Sequence, residues 1–95
     1  MKKVDLVKQI SEETGIGTVE ARKVIESFMD ITKKTLLSGN ELTLRGFGTF
    51  KGKLRAEKKA RNISKGTFII IKSHYLPSFK PAMEFKDELA KVEVK

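Results

Sequence analysis

The sequence predicts an α+β domain: two N-terminal helices, a three-stranded antiparallel sheet with a long protruding β-arm, and a short C-terminal helix. Apolar residues recur at the helical spacing of 3.6 up to about residue 37. From residue 42 they alternate with polar residues at the strand spacing of 2. Pro81 then precedes a last apolar stripe of helical spacing. The chain of 95 residues has room for one domain, residues 1–95.

The helical part is predicted over residues 1–40, with helices at 3–13 and 18–37. The second helix is expected to begin with Thr18 as its N-cap, because a threonine oxygen can accept a hydrogen bond from the first turn. Gly39 suits a left-handed C-cap, since glycine adopts positive φ without steric cost. The two helices with their short connection predict a helical hairpin or a helix-turn-helix.

The sheet is predicted over residues 41–81, followed by a C-terminal helix over 82–95, and Pro81 suits the start of this helix. Residues 49–72 are expected to form one long hairpin, and its outer half, about 54–72, is the β-arm. In the first strand of this hairpin, alternate residues are basic, which places apolar residues on one face and cations on the other. The segment "HYLPSF" is assigned no element.

The positive charge is concentrated in the predicted sheet. The net charge is +8 for the whole chain, and residues 41–81 alone carry +8, whereas the segments before and after them carry +1 and −1. Concentrated basicity indicates an interaction surface, most often for nucleic acid or an anionic membrane. The alternative is an edge ribbon kept soluble by lysine. The basic residues of this ribbon are Lys51, Lys53, Arg55, Lys58, Lys59, Arg61 and Lys65.

Several classes of site are disfavoured. The absence of cysteine excludes a disulfide framework and thiolate metal ligands, and His74 as the single histidine leaves zinc without a ligand set. The "GFG" at 46–48 lacks the following lysine and hydroxyl residue of a phosphate-binding loop. We therefore expect no enzyme, no catalytic residue, no metal and no cofactor. The N-terminus lacks the apolar run of a signal peptide, so we expect a cytoplasmic protein.

Several motifs together resemble the bacterial HU/IHF family of architectural DNA-binding proteins. The family's arm reads approximately R-A-x-x-x-G-R-N-P-x-T-G, and Arg55, Ala56, Arg61, Asn62 and Gly66 stand at matching positions. The segments "RGFGTF", "III" and "LPSFKPAMEFK" fall in the family's order, so that the resemblance covers nearly the whole chain.

The resemblance implies an intertwined dimer whose two β-arms grip double-stranded DNA in its minor groove, favour bent or distorted sites, and bend or compact the duplex in the bacterial nucleoid. An apolar residue at the arm tip inserts between base pairs. It implies that the dimer core includes Phe47, Phe50 and Phe79, and we add Phe28, which a body of this size is too small to bury alone. We expect DNA contacts from the basic ribbon and its tip, from Arg45, and from lysines that extend the DNA track on the body. The predicted DNA-binding residues are Lys3, Arg45, Lys51, Lys53, Arg55, Lys58, Lys59, Arg61, Asn62, Ile63, Ser64, Lys65, Lys72, Lys80 and Lys86.

Size independently favours a dimer. If the arm projects into solvent, roughly 70 residues remain to form a core, and a core of that size is marginal without a partner chain. The sequence leaves open whether the partner is an identical or a related chain.

Departures from the family's pattern leave alternatives open. Ile63 replaces the proline usual at the arm tip, Ala60 replaces a glycine, and Val4 stands where a helix-capping Ser or Thr is usual. Arg45 precedes Gly-Phe-Gly, as in one IHF chain, which suggests some sequence preference. The alternatives are an IHF-like, sequence-preferring DNA-bending protein, an RNA-binding accessory protein, and a basic module that docks an acidic protein or anionic lipid. No membrane partner is expected.

Overall fold

The computed structural model describes residues 1–62 and 66–94, leaving aside the side chains of residues 60–62, 67 and 68. It contains three helices and five strands in the order α1 Lys3–Thr14, α2 Thr18–Leu37, β1 Leu42–Leu44, β2 Gly48–Arg55, β3 Lys58–Asn62, β4 Thr67–Ile71, β5 His74–Pro81 and α3 Met83–Ala90. This is the predicted α+β order. Contacts divide the chain into two compact units, residues 1–34 and 35–95. The finer division at residues 40 and 81 stays a prediction.

The first unit contains α1 and most of α2. The carboxylate of Asp5 accepts a hydrogen bond of 2.9 Å from the backbone N–H of Lys2, which satisfies a donor at the start of α1. The expected N-cap at Thr18 is wrong by one residue. Thr18 is already helical, and the carbonyl of Gly17 accepts the first bond of α2, 2.9 Å from the N–H of Ala21. Glycine is tolerated at this position without a side-chain cap.

The predicted C-cap of α2 at Gly39 is confirmed. Gly39 has φ of 85° and donates its N–H to the carbonyl of Leu36 at 3.0 Å. The N–H of Asn40 reaches back to Thr35 O, also at 3.0 Å. This pair of bonds is a Schellman motif, in which the residue with positive φ lets the chain turn back onto the last carbonyls.

The second unit contains a three-stranded antiparallel sheet of order β1-β2-β5. β2 pairs along its whole length with β5, from Gly48 opposite Pro81 to Arg55 opposite His74. The single hairpin predicted over residues 49–72 is therefore wrong in its return strand, because β2 pairs with the segment "HYLPSFKP" that follows it. Pro77 argues locally against a strand, but β5 lies at the edge of the described sheet, where a missing N–H is tolerated.

The arm is a separate two-stranded ladder of β3 and β4, from Lys58 opposite Ile71 to Asn62 opposite Thr67. Between the two ladders, residues 56–57 lie opposite residues 72–73 and belong to no strand. Two residues on one strand thus face two on the other, so the pairing register is unchanged across the interruption. The paired residues of this ladder begin at Lys58, and the extent of the protruding arm, about 54–72, stays a prediction.

Four aromatic rings form the apolar cluster of the second unit. The ring centroid of Phe79 lies 4.8 Å from that of Phe50 and 5.1 Å from that of Phe47. Phe85, which the predicted core did not include, stacks on Phe47 at 5.6 Å with an interplanar angle of 13°. A Cβ added at Gly48 would lie 2.6 Å from the Phe79 ring and from the carbonyl of Lys80. Glycine at 48 is therefore required for the close approach of Phe79.

The last helix begins later than predicted. Pro81 is the final residue of β5, and α3 starts at Met83 after Ala82. The N–H of Ala82 donates to the carbonyl of Phe47 at 2.8 Å, which ties the start of α3 to the turn between β1 and β2.

Few apolar side chains are covered by the chain itself. Among the described side chains, Val7 and Ala21 are the only buried apolar ones, whereas Phe28 is 39% and Phe47 44% exposed. Large exposed apolar residues occur along α2, β2, β5 and α3. A single chain therefore leaves the predicted core residues partly open to solvent.

Candidate nucleic-acid interface

The β2–β5 ribbon has one cationic face. Side chains alternate along a strand, so Lys51, Lys53 and Arg55 share a face of β2 with a spacing of about 6.6 Å between neighbours. Directly opposed residues of an antiparallel pair point to the same side of the sheet. Lys80 lies opposite Thr49 and therefore joins this face from β5. We define Lys51, Lys53, Arg55 and Lys80 as the cationic face; Lys51 is half-buried and the other three are exposed.

The other face of the same ribbon is apolar. Phe50 and Phe79 are opposed in the register and belong to the aromatic cluster, and Leu54 and Tyr75 are opposed further along. The alternation predicted for β2 thus separates a face that packs from a face that is free to meet a charged partner. Because the aromatic cluster occupies one face, the cationic face is held outward.

The arm is basic on both of its faces. Lys58 and Lys59 are consecutive in β3 and so point to opposite sides, where they oppose Ile71 and Ile70. Both lysines are exposed. A lysine stem can lie along an apolar neighbour while its ammonium group stays in water. This pairing lets an isolated two-stranded ladder cover some of its isoleucine surface and still present cations.

Five predicted contacts cannot be placed by their side chains. The backbones of Arg61 and Asn62 are in β3, but their side chains lie outside the description. Ile63, Ser64 and Lys65 lie outside the described residues altogether. The predicted roles of these five residues stay predictions.

A second group of cations lines an open groove of about 670 Å³ between the β1–β2 turn, β5 and α3. Arg45 comes from the turn, Lys80 from β5 and Lys86 from α3, so the groove adjoins the cationic face at Lys80. The hydroxyls of Thr43 and Thr49 are 3.2 Å apart in the same wall. The structure therefore brings Arg45 together with Lys80 and Lys86, which lie 35 and 41 positions later in the chain.

Lys3 and Lys72 are the two remaining predicted contacts, Lys3 in the first unit and Lys72 in the second. The ammonium group of Lys3, in the helical unit, forms an ion pair of 2.8 Å with Glu26. This hydrogen bond holds the pKa of the Glu26 carboxyl below its ordinary value. Lys72 is exposed in the interruption between β4 and β5.

His74 was not predicted as a binding residue, yet it belongs to the same face. It lies opposite Arg55 at the end of the β2–β5 ladder and is exposed. Its Nδ1 is 2.8 Å from the carbonyl oxygen of Lys72. The sequence contains no local signal for this placement, because it depends on the pairing of two strands that are distant in the chain.

Other kinds of site receive no support from the described part of the chain. No group of three or more His, Asp or Glu residues there could hold a metal ion. A second groove, of about 520 Å³, is lined almost entirely by apolar residues of β5 and α3, among them Phe79, Phe85 and Leu89. No described helix has both the length and the apolar composition needed to span a membrane.

Comparison with protein families matches residues 1–90 to the family described as bacterial DNA-binding protein. The chain is 36% identical over 87 residues to the SPbeta prophage-derived DNA-binding protein HU 2 of Bacillus subtilis, which covers 92% of this chain and 95% of that protein. It is also 36% identical over 87 residues to DNA-binding protein HU of Xylella fastidiosa, with 92% and 93% covered.

Among solved structures, the fold matches an HU–DNA cocrystal structure from Anabaena with a TM-score of 0.91. The match covers 97% of this chain and 100% of the Anabaena chain, at 25% sequence identity. The similarity therefore includes all three helices and the five strands, not the helical unit alone.

Proposed function

The chain belongs to the bacterial DNA-binding protein family, that of the HU proteins, and from this premise we propose that it is an architectural protein that binds duplex DNA and bends it. The cationic face carries this proposal. It places Lys51, Lys53 and Arg55 in one row on a strand whose reverse side is apolar. A row of cations held outward by a packed sheet fits the phosphate backbone of a duplex, where charge neutralisation and counterion release supply much of the affinity.

We propose the minor groove as the place where the arms bind. HU and IHF are themselves known examples of proteins that use this groove and bend the duplex through it. The β3–β4 ladder is only two strands wide and presents lysines on both faces. Such a ribbon can follow a groove with phosphates on both sides.

A sequence-preferring mode is a second candidate, supported by Arg45. Its side chain lies in the wall of the groove that also contains Lys80, next to the threonine hydroxyl pair. An arginine positioned there could sense the width of a narrow minor groove, where the negative potential is enhanced. Most of the proposed contacts are to phosphates, which carry no sequence information directly, so we propose binding that is largely independent of sequence.

Titration of the purified protein against three partners tests the function. We expect the tightest binding to duplex DNA, with a further gain for nicked or pre-bent duplexes, because the bend then requires less deformation energy. Folded RNA should bind more weakly, since the minor groove of an A-form helix is wide and shallow. Equal affinity for RNA of matched length, or binding only to vesicles of anionic lipid, would contradict the proposal.

We further propose that the protein acts on nucleoid DNA in the bacterial cytoplasm and catalyses no reaction.

We also propose that the functional form is a dimer, because the chain alone leaves Phe28 and Phe47 partly exposed and buries few apolar side chains of its own. Sedimentation at micromolar concentration should give twice the chain mass if the chain pairs with itself. A folded monomer at that concentration would contradict self-pairing, and mixing with a related chain would then test the heterodimer.

Ile63 is proposed as the residue that inserts between base pairs at the arm tip. Substituting Ile63→Ala should retain most of the affinity for straight DNA, because the basic residues remain. The substitution should remove much of the bend. Unstacking two neighbouring base pairs costs a few kcal/mol, and an alanine side chain is too small to fill the gap between them. Ile63→Pro should keep the bend. The measurement is the end-to-end distance of a labelled duplex by energy transfer at saturation; a bend unchanged in Ile63→Ala would exclude insertion by this residue.

A further inference from the structure

We propose that His74 is a further phosphate contact of the cationic face, and that the contact is made by the protonated ring, so that duplex binding takes up a proton. The proposal rests on the proposed DNA-binding function. Its first support is placement: His74 lies opposite Arg55 in the ladder and is two residues from Leu76, which lies opposite Lys53. The imidazole therefore lies beside Arg55, at the end of the cationic face that is nearer to the arm.

The hydrogen bond of the ring determines which nitrogen is available. A carbonyl oxygen can only accept, so the Nδ1 of His74 must donate to the carbonyl of Lys72 across their 2.8 Å separation. The neutral ring then has an Nε2 without a hydrogen, which cannot donate to a phosphate. Protonation adds a second N–H at Nε2 while the bond to Lys72 is kept. In this orientation, the ring can therefore donate a hydrogen bond from Nε2 to a phosphate only when it is protonated.

The charged groups around His74 determine whether duplex binding favours or disfavours protonation of the ring. β2 is the strand that flanks β5 in the sheet, and it presents Arg55 directly opposite and Lys53 on the diagonal. The interruption beside the ring contains Glu57 and Lys72. Cations outnumber the single carboxylate among these groups, so the free protein places little negative charge beside the ring. A phosphate on the cationic face supplies the negative charge that favours the proton. Binding is therefore expected to tighten as pH falls.

The position of His74 makes this contact separate from the arm tip. It lies where the β2–β5 ladder ends and two unpaired residues on each strand lead into the β3–β4 ladder. A phosphate bound here would hold the ribbon at the point where its hydrogen bonding is interrupted. The exposed ring requires no movement of the ribbon to reach it.

The test compares duplex affinity at pH 5.5 and pH 7.5 at constant ionic strength. Ordinary carboxyl groups stay charged in this range, so a histidine is the main titrating side chain. If duplex binding raises the titration midpoint of the ring by one unit, proton linkage makes the parent bind more tightly at pH 5.5 than at pH 7.5, by up to about tenfold per chain. His74→Gln should remove the pH dependence of duplex affinity. At pH 5.5 this variant should bind the duplex as weakly as the parent does when its His74 ring is uncharged. His74→Lys, with a permanent charge, should bind tightly at both pH values.

Because the chain has a single histidine, proton NMR of the unmodified protein gives an independent readout. The midpoint for its ring should move upward when a short duplex is added. An unmoved midpoint, or a His74→Gln variant that keeps the parent's pH dependence, would overturn the inference. Failure of the parent to bind duplex DNA at either pH would instead overturn the proposed function, so the two failures are distinguishable.

Discussion

Substitution of Phe79 by alanine is expected to lower the free energy of unfolding by about 3–5 kcal/mol, a large fraction of the roughly 5–15 kcal/mol typical of a domain. Phe79 contacts two aromatic rings, those of Phe47 and Phe50, at centroid distances of 5.1 and 4.8 Å. Truncation removes both contacts and leaves a void next to Gly48, whose hydrogen atoms already allow the Phe79 ring its close approach. Urea unfolding followed by circular dichroism, at one fixed protein concentration, measures the change.

Tyr75 provides the matched control for this substitution. It lies on the same strand and the same face as Phe79 but is 73% exposed. Tyr75→Ala should change stability by less than about 0.5 kcal/mol, as is usual for an exposed position. Equal losses at Phe79 and Tyr75 would show that the aromatic cluster is not the core of the second unit. A loss at Tyr75 alone would place the principal apolar contact at the base of the arm.

Neutralisation of the β2 part of the cationic face is expected to weaken duplex binding by about a hundredfold or more at 0.1 M salt. The variant combines Lys51→Gln, Lys53→Gln and Arg55→Gln. Each lost phosphate contact should also reduce the slope of log K against log salt by about 0.9. Folding should be retained, because these side chains lie on the face opposite the aromatic cluster. Fluorescence anisotropy with a labelled duplex at several salt concentrations gives both quantities.

The control carries an equal loss of charge in the helical unit: Lys8→Gln, Lys23→Gln and Lys33→Gln. These lysines are exposed on α1 and α2, away from the ribbon in sequence. We expect the control to keep nearly the parent's slope and affinity. If it weakens binding as much as the β2 variant does, then affinity follows the net charge of the chain, and the cationic face has no special part in it.

The helices and their ends could largely be predicted from the sequence, because their determinants are local. The apolar spacing of 3.6 residues and the stop signal at Gly39 predicted α2 at residues 18–37 with its C-cap at Gly39. The structure agrees with this prediction. The errors at Thr18 and Pro81 are small shifts along the chain. They arise because several neighbouring residues can satisfy the same helix-start requirement, and tertiary bonds such as that from Ala82 to Phe47 decide among them.

The division of the ribbon into two faces could also be predicted, since it follows from alternation within one strand. The pairing of β2 could not. "TFIII" has better local strand propensity than "HYLPSFKP", yet β2 pairs with the latter. The reason is long-range: only that register sets Phe79 against Phe50 and closes the aromatic cluster with Phe47 and Phe85. Burial of these rings outweighs the local cost of Pro77 at a sheet edge.

The sequence by itself determined the α+β order, the concentration of positive charge between residues 41 and 81, and the arm motif that resembles HU and IHF. Each of these is a property of one segment, expressed through spacing or composition. Only the tertiary structure decided which distant residues share a surface: Lys80 with Lys51 and Lys53, Arg45 with Lys86, and His74 with Arg55. Strand register and side-chain packing set these neighbours, and both depend on contacts between segments that no local pattern encodes.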